Sequence, residues 1–222
     1  MAGPGSAVRF PSRAALFAYR SWSRVRNRCF SVLVSGAFAK FGKQAVLALP
    51  IRLTGEQRIE IDDHVFVGPG SWLQTIDDHD NHSTAIWLGR GMSSSGSCVI
   101  SAVRCVRLEE YVLLARNVYI SDHIHKYSDP SVPIFDQGVD KIRPVLIKRG
   151  AWIGQNVVVC PGVTIGRGAV IGANSVVNQD VPDFSVAVGS PARVVKHFHR
   201  SAQGADLIKH TEDDSALAKD KA

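Results

Sequence analysis

From Ile147 onward every sixth residue is a branched aliphatic: Ile147, Ile153, Val159, Ile165, Ile171 and Val177. Two positions ahead of each stands a small or β-branched residue: Val145, Ala151, Val157, Val163, Ala169 and Ser175. Glycine follows the aliphatic at Gly154, Gly166 and Gly172. The same step recurs in Ile61, Val67 and Leu73 and in Leu108, Leu114 and Ile120, and more weakly in Leu88, Ser94 and Ile100. A helix repeats at 3.6 residues and a two-faced strand at 2, so a period of six requires a different unit, a short strand followed by a tight turn. Each unit directs one large aliphatic inward, and the glycine tolerates turn angles closed to other residues. Three units close one triangular turn. Stacked turns bury each other's aliphatic rows and pair their backbones, which is a parallel β-solenoid.

The register breaks twice. The first break, 76–85, is polar and holds Asp77, Asp78, His79, Asp80 and His82. The second, 122–143, contains Asp122, Asp129, Asp136 and Asp140, two histidines and Pro130 and Pro133. An ordered insertion of about 20 residues in a regular stack is usually functional. After Val177 the repeat is expected to end, with turn signals at Asp180 to Pro182 and at Gly189, Ser190 and Pro191. The spacing of Leu16, Phe17, Tyr19, Trp22, Val25 and Phe30 predicts an amphipathic helix over 12–34. The organisation read from these signals is a basic helical segment at 1–44, a solenoid at 45–198 with its loop at 122–143, and a polar, frayed tail at 199–222.

Composition narrows the function classes. With 45% hydrophobic and 21% charged residues, the 222-residue chain has ordinary globular usage for one domain with tails. The most apolar long stretch, 30–49, is interrupted by Ser35, Gly36, Lys40, Gly42, Lys43 and Gln44 and does not read as a membrane span. Nine Lys and Arg and no acid precede Glu56, which leaves 17 basic against 20 acidic residues in the remainder, a balance of −3. The body is therefore no nucleic-acid binder. The basic helix either packs on the domain or touches anionic lipid. Cys29, Cys98, Cys105 and Cys160 have neither disulfide-framework nor zinc spacing, and no secretory signal is read, so a reduced cytoplasmic setting is expected, with peripheral contact at the inner membrane face as an extension of the lipid reading.

The hexads VLIKRG, AWIGQN, VVVCPG, VTIGRG, AVIGAN and SVVNQD, followed by GSPARVVK and preceded by SDHIHKY, resemble those of the hexapeptide-repeat acyltransferases. Among these the chain is most similar to O-acetyltransferases acting on sugars, the maltose and galactoside enzymes and above all the colanic-acid type of capsule and exopolysaccharide clusters. The match covers about 45–198 and is dense from Asp122 to Lys196. The resemblance implies a left-handed parallel β-helix, a homotrimer, acetyl-CoA lying along the groove between neighbouring subunits, and a loop histidine as general base. It implies a sugar or glycan acceptor, lipid- or nucleotide-linked.

Acetyl transfer from a thioester to a hydroxyl needs a base, which histidine supplies near neutral pH, and a donor for the oxyanion; it needs no metal and no covalent enzyme intermediate. By the resemblance, His123 in Ser121, Asp122 and His123 is the base. His125, two residues on and on the same side of an extended segment, is the runner-up. Asp122 or Asp129 would orient the ring, and Asp122 is also grouped with the acceptor-binding residues. The resemblance further implies that Trp152 flanks the pantetheine arm, that Gln155 and Ala173 line it, and that Asn178 and Gln179 occupy the place of a Thr–Lys pair frequent in the family. Arg193 and Lys196 would meet the phosphates of the nucleotide end. Serines at 93–97, Ser93 foremost, and Ser101 would contact the acceptor one turn below the base. Three other readings stay open: an N-acetyltransferase for a nucleotide-linked aminosugar, a carbonic-anhydrase-like zinc site built from His79, His82, His123 and His125, and a non-catalytic solenoid scaffold.

Overall fold

The computed structural model describes residues 9–77, 83–199 and 207–210. Short strands wind into a three-sided parallel β-helix. The first face stacks six strands, Lys40–Phe41, Ile59–Ile61, Ile86–Leu88, Val106–Leu108, Val145–Ile147 and Thr164–Ile165. The second runs from Val46–Leu47 to Val170–Ile171 and is extended by Ser185–Gly189 and the antiparallel Ala192–His199. The third carries Ile51–Thr54, Ser71–Thr75, Val99–Ala102, Tyr119–Ser121, Val158–Val159 and Val176–Val177. Ile147 lies beside Ile165, Ile153 beside Ile171 and Val159 beside Val177, so one uninterrupted turn takes eighteen residues.

Both rows read from the sequence line the interior. All six large aliphatics from Ile147 to Val177 are buried, as are Val145, Ala151, Val157, Val163, Ala169 and Ser175. At about 1.5–3 kcal/mol for each large aliphatic side chain withdrawn from water, this column is the main stabilising term. The earlier rows join the same core, Leu88 and Ile100 included, with Ser94 in the second-face row accepting the Gly68 N–H on its hydroxyl at 3.0 Å. The stacking continues past Val177, where the repeat was expected to end. Val181 bridges to Ile165, and Val186 and Ala187 pair with Val170 and Ile171 before the chain reverses at Gly189. Polar turn residues conceal this last partial turn in the sequence.

The glycines do a different job from the one expected. Gly154 and Gly166 lie where a Cβ would fall 2.6 and 2.3 Å from the backbone of the next turn, and Gly172 would meet Val188 at 2.6 Å. They permit close stacking. The left-handed corner falls three residues after each aliphatic, at Gly150 (φ 71°), Asn156 (59°), Gly162 (84°), Gly168 (61°) and Asn174 (60°). The corner asparagines also bond in a ladder, Asn117 Nδ2 to Asn156 Oδ1 at 3.1 Å and Asn156 Nδ2 to Asn174 Oδ1 at 2.9 Å. Substitution should separate the two glycine roles. Gly154→Ala is expected to lose about 1–3 kcal/mol through overpacking against backbone. Gly150→Ala, with open space around its Cβ, is expected to lose only about 1 kcal/mol through its positive φ. Urea unfolding of both at one protein concentration gives the comparison.

Helix α1 (Arg9–Val34) closes the first turn. Its last two turns dock: Ser31 Oγ accepts the Leu47 N–H at 2.9 Å and Asn27 Oδ1 the Leu49 N–H at 3.2 Å, which satisfies an edge that has no further strand. Phe30 and Val34 pack against the core while the first half of the helix stands clear. The two insertions leave from the corner between the third and first faces. The first spans 77–84, of which 78–82, including His79 and His82, lie outside the described residues. The second carries a hairpin, Ile124–His125 against Val139–Asp140, and a 3-10 turn at Ile134–Gln137. Most of the tail expected to fray lies outside the described residues, while Leu207–His210 pairs antiparallel with Ala192–His199.

Candidate active site

Strand Tyr119–Ser121 ends at the corner where the long insertion departs. The next residue, Asp122, is fully buried, and its carboxylate is surrounded by donors. Val103 N–H reaches Oδ1 at 2.9 Å; Arg104 and Cys105 N–H reach Oδ2 at 2.7 and 2.8 Å. These three amides form the corner one turn below, so Asp122 staples two turns together. Its second partner on Oδ1 is His123 Nδ1, at 2.8 Å. Burial works against ionisation of Asp122, but the His123 hydrogen bond and the three amides outweigh it and hold the carboxyl below the usual carboxylate range. An ionised Asp122 accepts, so the network assigns the proton of neutral His123 to Nδ1 and leaves the lone pair on Nε2. Nε2 has no partner among the described residues and is not an enclosed atom. The ring as a whole is only 7% exposed. Ser121 holds the His123 backbone, donating from Oγ to its carbonyl at 2.8 Å and accepting its N–H at 3.2 Å.

Asp122 is thus sealed away from an acceptor, and its geometry is that of an orienting residue. Asp129, the alternative orienter, is engaged with Ser131 in its own turn. His125 does not share the setting of His123: it is exposed on the hairpin, opposite Val139. Ser101 pairs in register with Ser121 one turn below, and its hydroxyl donates to Gln74 Oε1 at 3.4 Å. Ser93 belongs to a different face, on the second-face strand between Phe66 and Leu113, and is not brought to this corner.

Two residues that sequence reading missed support the corner. Arg58 is 5% exposed and donates to three carbonyls, Ile76 at 2.9 Å, Ser83 at 3.0 Å and Val103 at 2.7 Å. It ties both ends of the first insertion to the residue whose N–H holds Asp122. Arg143 closes the second insertion through its N–H to the Asp122 carbonyl at 2.8 Å. Neither has a local sequence signal, because their partners lie far along the chain. Burial pushes up the Cys105 thiol, reinforced by the Asp122 charge, and burial also raises Cys160 against the pull of Arg143. Both stay protonated at neutral pH, which argues against a thiolate nucleophile here.

The remaining residues fall on two edges of the column. Trp152 is half exposed on the second face, between Leu113 and Val170. Gln155 and Ala173 stack at the corner between the second and third faces, where the Gln155 carbonyl accepts the Asn174 N–H at 2.8 Å. Arg193 and Lys196 lie on the second-face extension, opposite Val188 and Val186. Asn178 and Gln179 instead sit exposed at the corner of His123, two turns further up. One side of the triangle, the third face, separates the two edges within one chain by roughly 15 Å, at about 3.3 Å for each extended residue. Among the described residues no three His, Cys, Asp or Glu gather in a metal-holding group.

The model of the family described as bacterial transferase hexapeptide (six repeats) matches residues 144–179. A Mycobacterium tuberculosis protein named as an acetyltransferase is 36% identical over 161 residues, covering 72% of this chain and 51% of that protein. The Escherichia coli protein WbbJ, named as a lipopolysaccharide biosynthesis O-acetyl transferase, is 36% identical over 47% of this chain and 56% of its own length. The chain therefore spans about half the length of these relatives. Among solved structures, a maltose O-acetyltransferase from Clostridium difficile is 27% identical with a TM-score of 0.53, covering 82% of this chain and 88% of that one. An N-acyltransferase from Bacillus cereus, AntD, solved with dTDP and coenzyme A, shares the fold at 19% identity and a TM-score of 0.62, covering 74% of this chain and 87% of that one.

Proposed function

Starting from a chain that belongs to the hexapeptide-repeat transferases, with their left-handed parallel β-helix, we propose that it moves an acetyl group from acetyl-CoA to a hydroxyl of a sugar, with His123 as general base. The observation that carries this reading is the pairing of His123 Nδ1 with buried, ionised Asp122, which leaves Nε2 as the basic atom. Nε2 takes the hydroxyl proton as the oxygen attacks the thioester carbonyl. A C–O bond forms and the carbonyl becomes a tetrahedral oxyanion. When it collapses the C–S bond breaks, and the departing thiolate takes the proton back from Nε2 to leave free coenzyme A. Asp122 keeps the ring in one tautomer throughout and stabilises the transient imidazolium. Acetyl transfer by these steps uses no metal.

The separation of His123 from Trp152 and Gln155 supports a site built from two copies. In a homotrimer, the His123 edge of one copy meets the Trp152 edge of the next, and acetyl-CoA lies in the groove between them. Arg193 and Lys196 then bind its phosphates, the guanidinium in bidentate fashion. Ser101, one turn below the base, supports a hydrogen bond to the acceptor. A lipid- or nucleotide-linked glycan in polysaccharide biosynthesis is the acceptor class this reading favours, and the relative WbbJ is named for O-acetyl transfer in lipopolysaccharide biosynthesis.

The test is coenzyme A release from acetyl-CoA with nucleotide sugars, amino sugars and capsule-type oligosaccharides. Release with acceptors that have hydroxyls and no amine is expected. Turnover confined to amino sugars transfers the reading to N-acetylation, and no release with any acceptor overturns it. Trp152→Ala is expected to raise the KM for acetyl-CoA about tenfold, the effect of losing roughly 1.4 kcal/mol of aromatic contact, with little change in kcat.

A further inference from the structure

Helix α1 has an apolar stripe that this chain does not use. Ala15, Ala18, Trp22, Val25, Cys29 and Val32 recur at intervals of three and four, which places them on one side of the helix. The docked side is a different one, formed by Asn27, Phe30, Ser31 and Val34. The stripe is open: Trp22 is 65% exposed, Val25 56% and Val32 67%, with Leu33 beside them at 83%. It runs on into a cleft of about 520 Å³ between the helix and the second face, walled by Val25, Cys29, Val46 and Phe66, with Arg24 and Arg28 on its rim.

The charge of the helix identifies what covers the stripe. It contains six arginines and no acid. Arg26 is engaged with the Leu49 carbonyl. At 3.6 residues per turn Arg28 falls beside the stripe while Arg13, Arg20 and Arg24 fall on the opposite side of the helix, and none of the four has a hydrogen bond or ion pair among the described residues. A stripe containing tryptophan, with unpaired arginines across the rest of the helix and held firmly to a folded body at one end, has the amphipathic form that lies in a bilayer interface. A protein partner would require a matching acidic face, whereas an anionic bilayer offers negative charge and an apolar interior together. The helix is not a spanning segment, since no described helix is long and apolar enough to cross a membrane.

We propose that α1 lies along an anionic lipid surface, with Trp22, Val25 and Val32 among the acyl chains, Arg28 at the lipid phosphates, and Arg13, Arg20 and Arg24 on the polar side above them, adding their attraction to the charged surface. The docked Ser31 and Asn27 then fix the solenoid relative to that surface. The inference stands apart from the acetyl-transfer reading, because it uses no residue of the His123 corner.

The test is co-sedimentation of the full chain with vesicles of phosphatidylcholine alone or mixed with phosphatidylglycerol, alongside the mass of the assembly in solution. Pelleting with phosphatidylglycerol vesicles, weakened by salt, is expected, with little on phosphatidylcholine. R20E with R24E is expected to weaken binding at least about 20-fold, at roughly fivefold per basic residue lost from the surface. Trp22→Asp is expected to weaken it about tenfold or more with the fold and assembly mass unchanged, since this side chain is exposed. Equal pelleting on both vesicles, or binding that ignores these substitutions, overturns the proposal. So does a fall in assembly mass with Trp22→Asp, which assigns the stripe to a second copy.

Discussion

Replacing His123 by alanine is expected to lower kcat for acetyl transfer by at least about 100-fold, the usual size of a general-base contribution, with acetyl-CoA affinity nearly unchanged. The expectation rests on the Nε2 lone pair. The opposite ring nitrogen is committed to a carboxylate at 2.8 Å, so the ring is held in one tautomer. His125→Ala is the control. That histidine is exposed on the hairpin and has no carboxylate partner among the described residues, so its loss is expected to leave kcat within a few-fold of the parent. Steady-state kinetics on both variants separate the two. An inactive His125→Ala with a near-normal His123→Ala would move the base to the hairpin.

Asp122→Ala is expected to damage both stability and catalysis. It removes the acceptor of the Val103, Arg104 and Cys105 amides and of His123 Nδ1. Leaving buried donors unsatisfied costs about 1–3 kcal/mol each, and partial access of water places the total at roughly 3–5 kcal/mol. With the ring released to either tautomer, turnover is expected to fall with that of His123→Ala. Asp122→Asn keeps the shape but turns one acceptor into a donor facing donors, and is expected to fail similarly. The carboxyl also sets an acid limit. Its pKa in the folded chain lies below the unfolded value of about 4. Its stabilisation is therefore complete above that value and is lost as pH falls through the lower, folded pKa. Urea unfolding from pH 7 to pH 3 should show the parent losing stability at the acid end and the Asp122→Asn chain following a flatter course.

The column was legible because its signal is local. Six-residue spacing, the inward aliphatics and the two breaks all lie within windows of a few turns of chain, and the partners of Ile147 or Ile153 follow from counting. What was illegible depends on which turns become neighbours after an insertion. Asp122 reads as a loop carboxylate until the 103–105 corner comes beneath it. Arg58 reads as one more basic residue until Ile76, Ser83 and Val103 converge on it. Ser93 and Ser101 look equivalent in a serine-rich stretch, yet one precedes a second-face core position and the other follows Ile100 on the third face. The glycines were correctly located and their reason misassigned, because close approach by a neighbouring turn leaves no trace in the local sequence. The N-terminal helix was legible as an amphipathic segment, while the side left uncovered depended on how Ser31 and Asn27 dock.

The central claim is that the base on one copy serves a donor held by another. Mixing His123→Ala with Trp152→Glu chains tests it, after joint refolding or co-expression. Trp152→Glu puts a negative charge where the acetyl-CoA arm is to lie, so each variant alone is expected to be nearly inactive. In a ring built from equal amounts of the two, about one interface in four joins an intact His123 edge to an intact Trp152 edge, and about a quarter of the parent activity should return. A mixture no more active than its separate components would contradict a shared site.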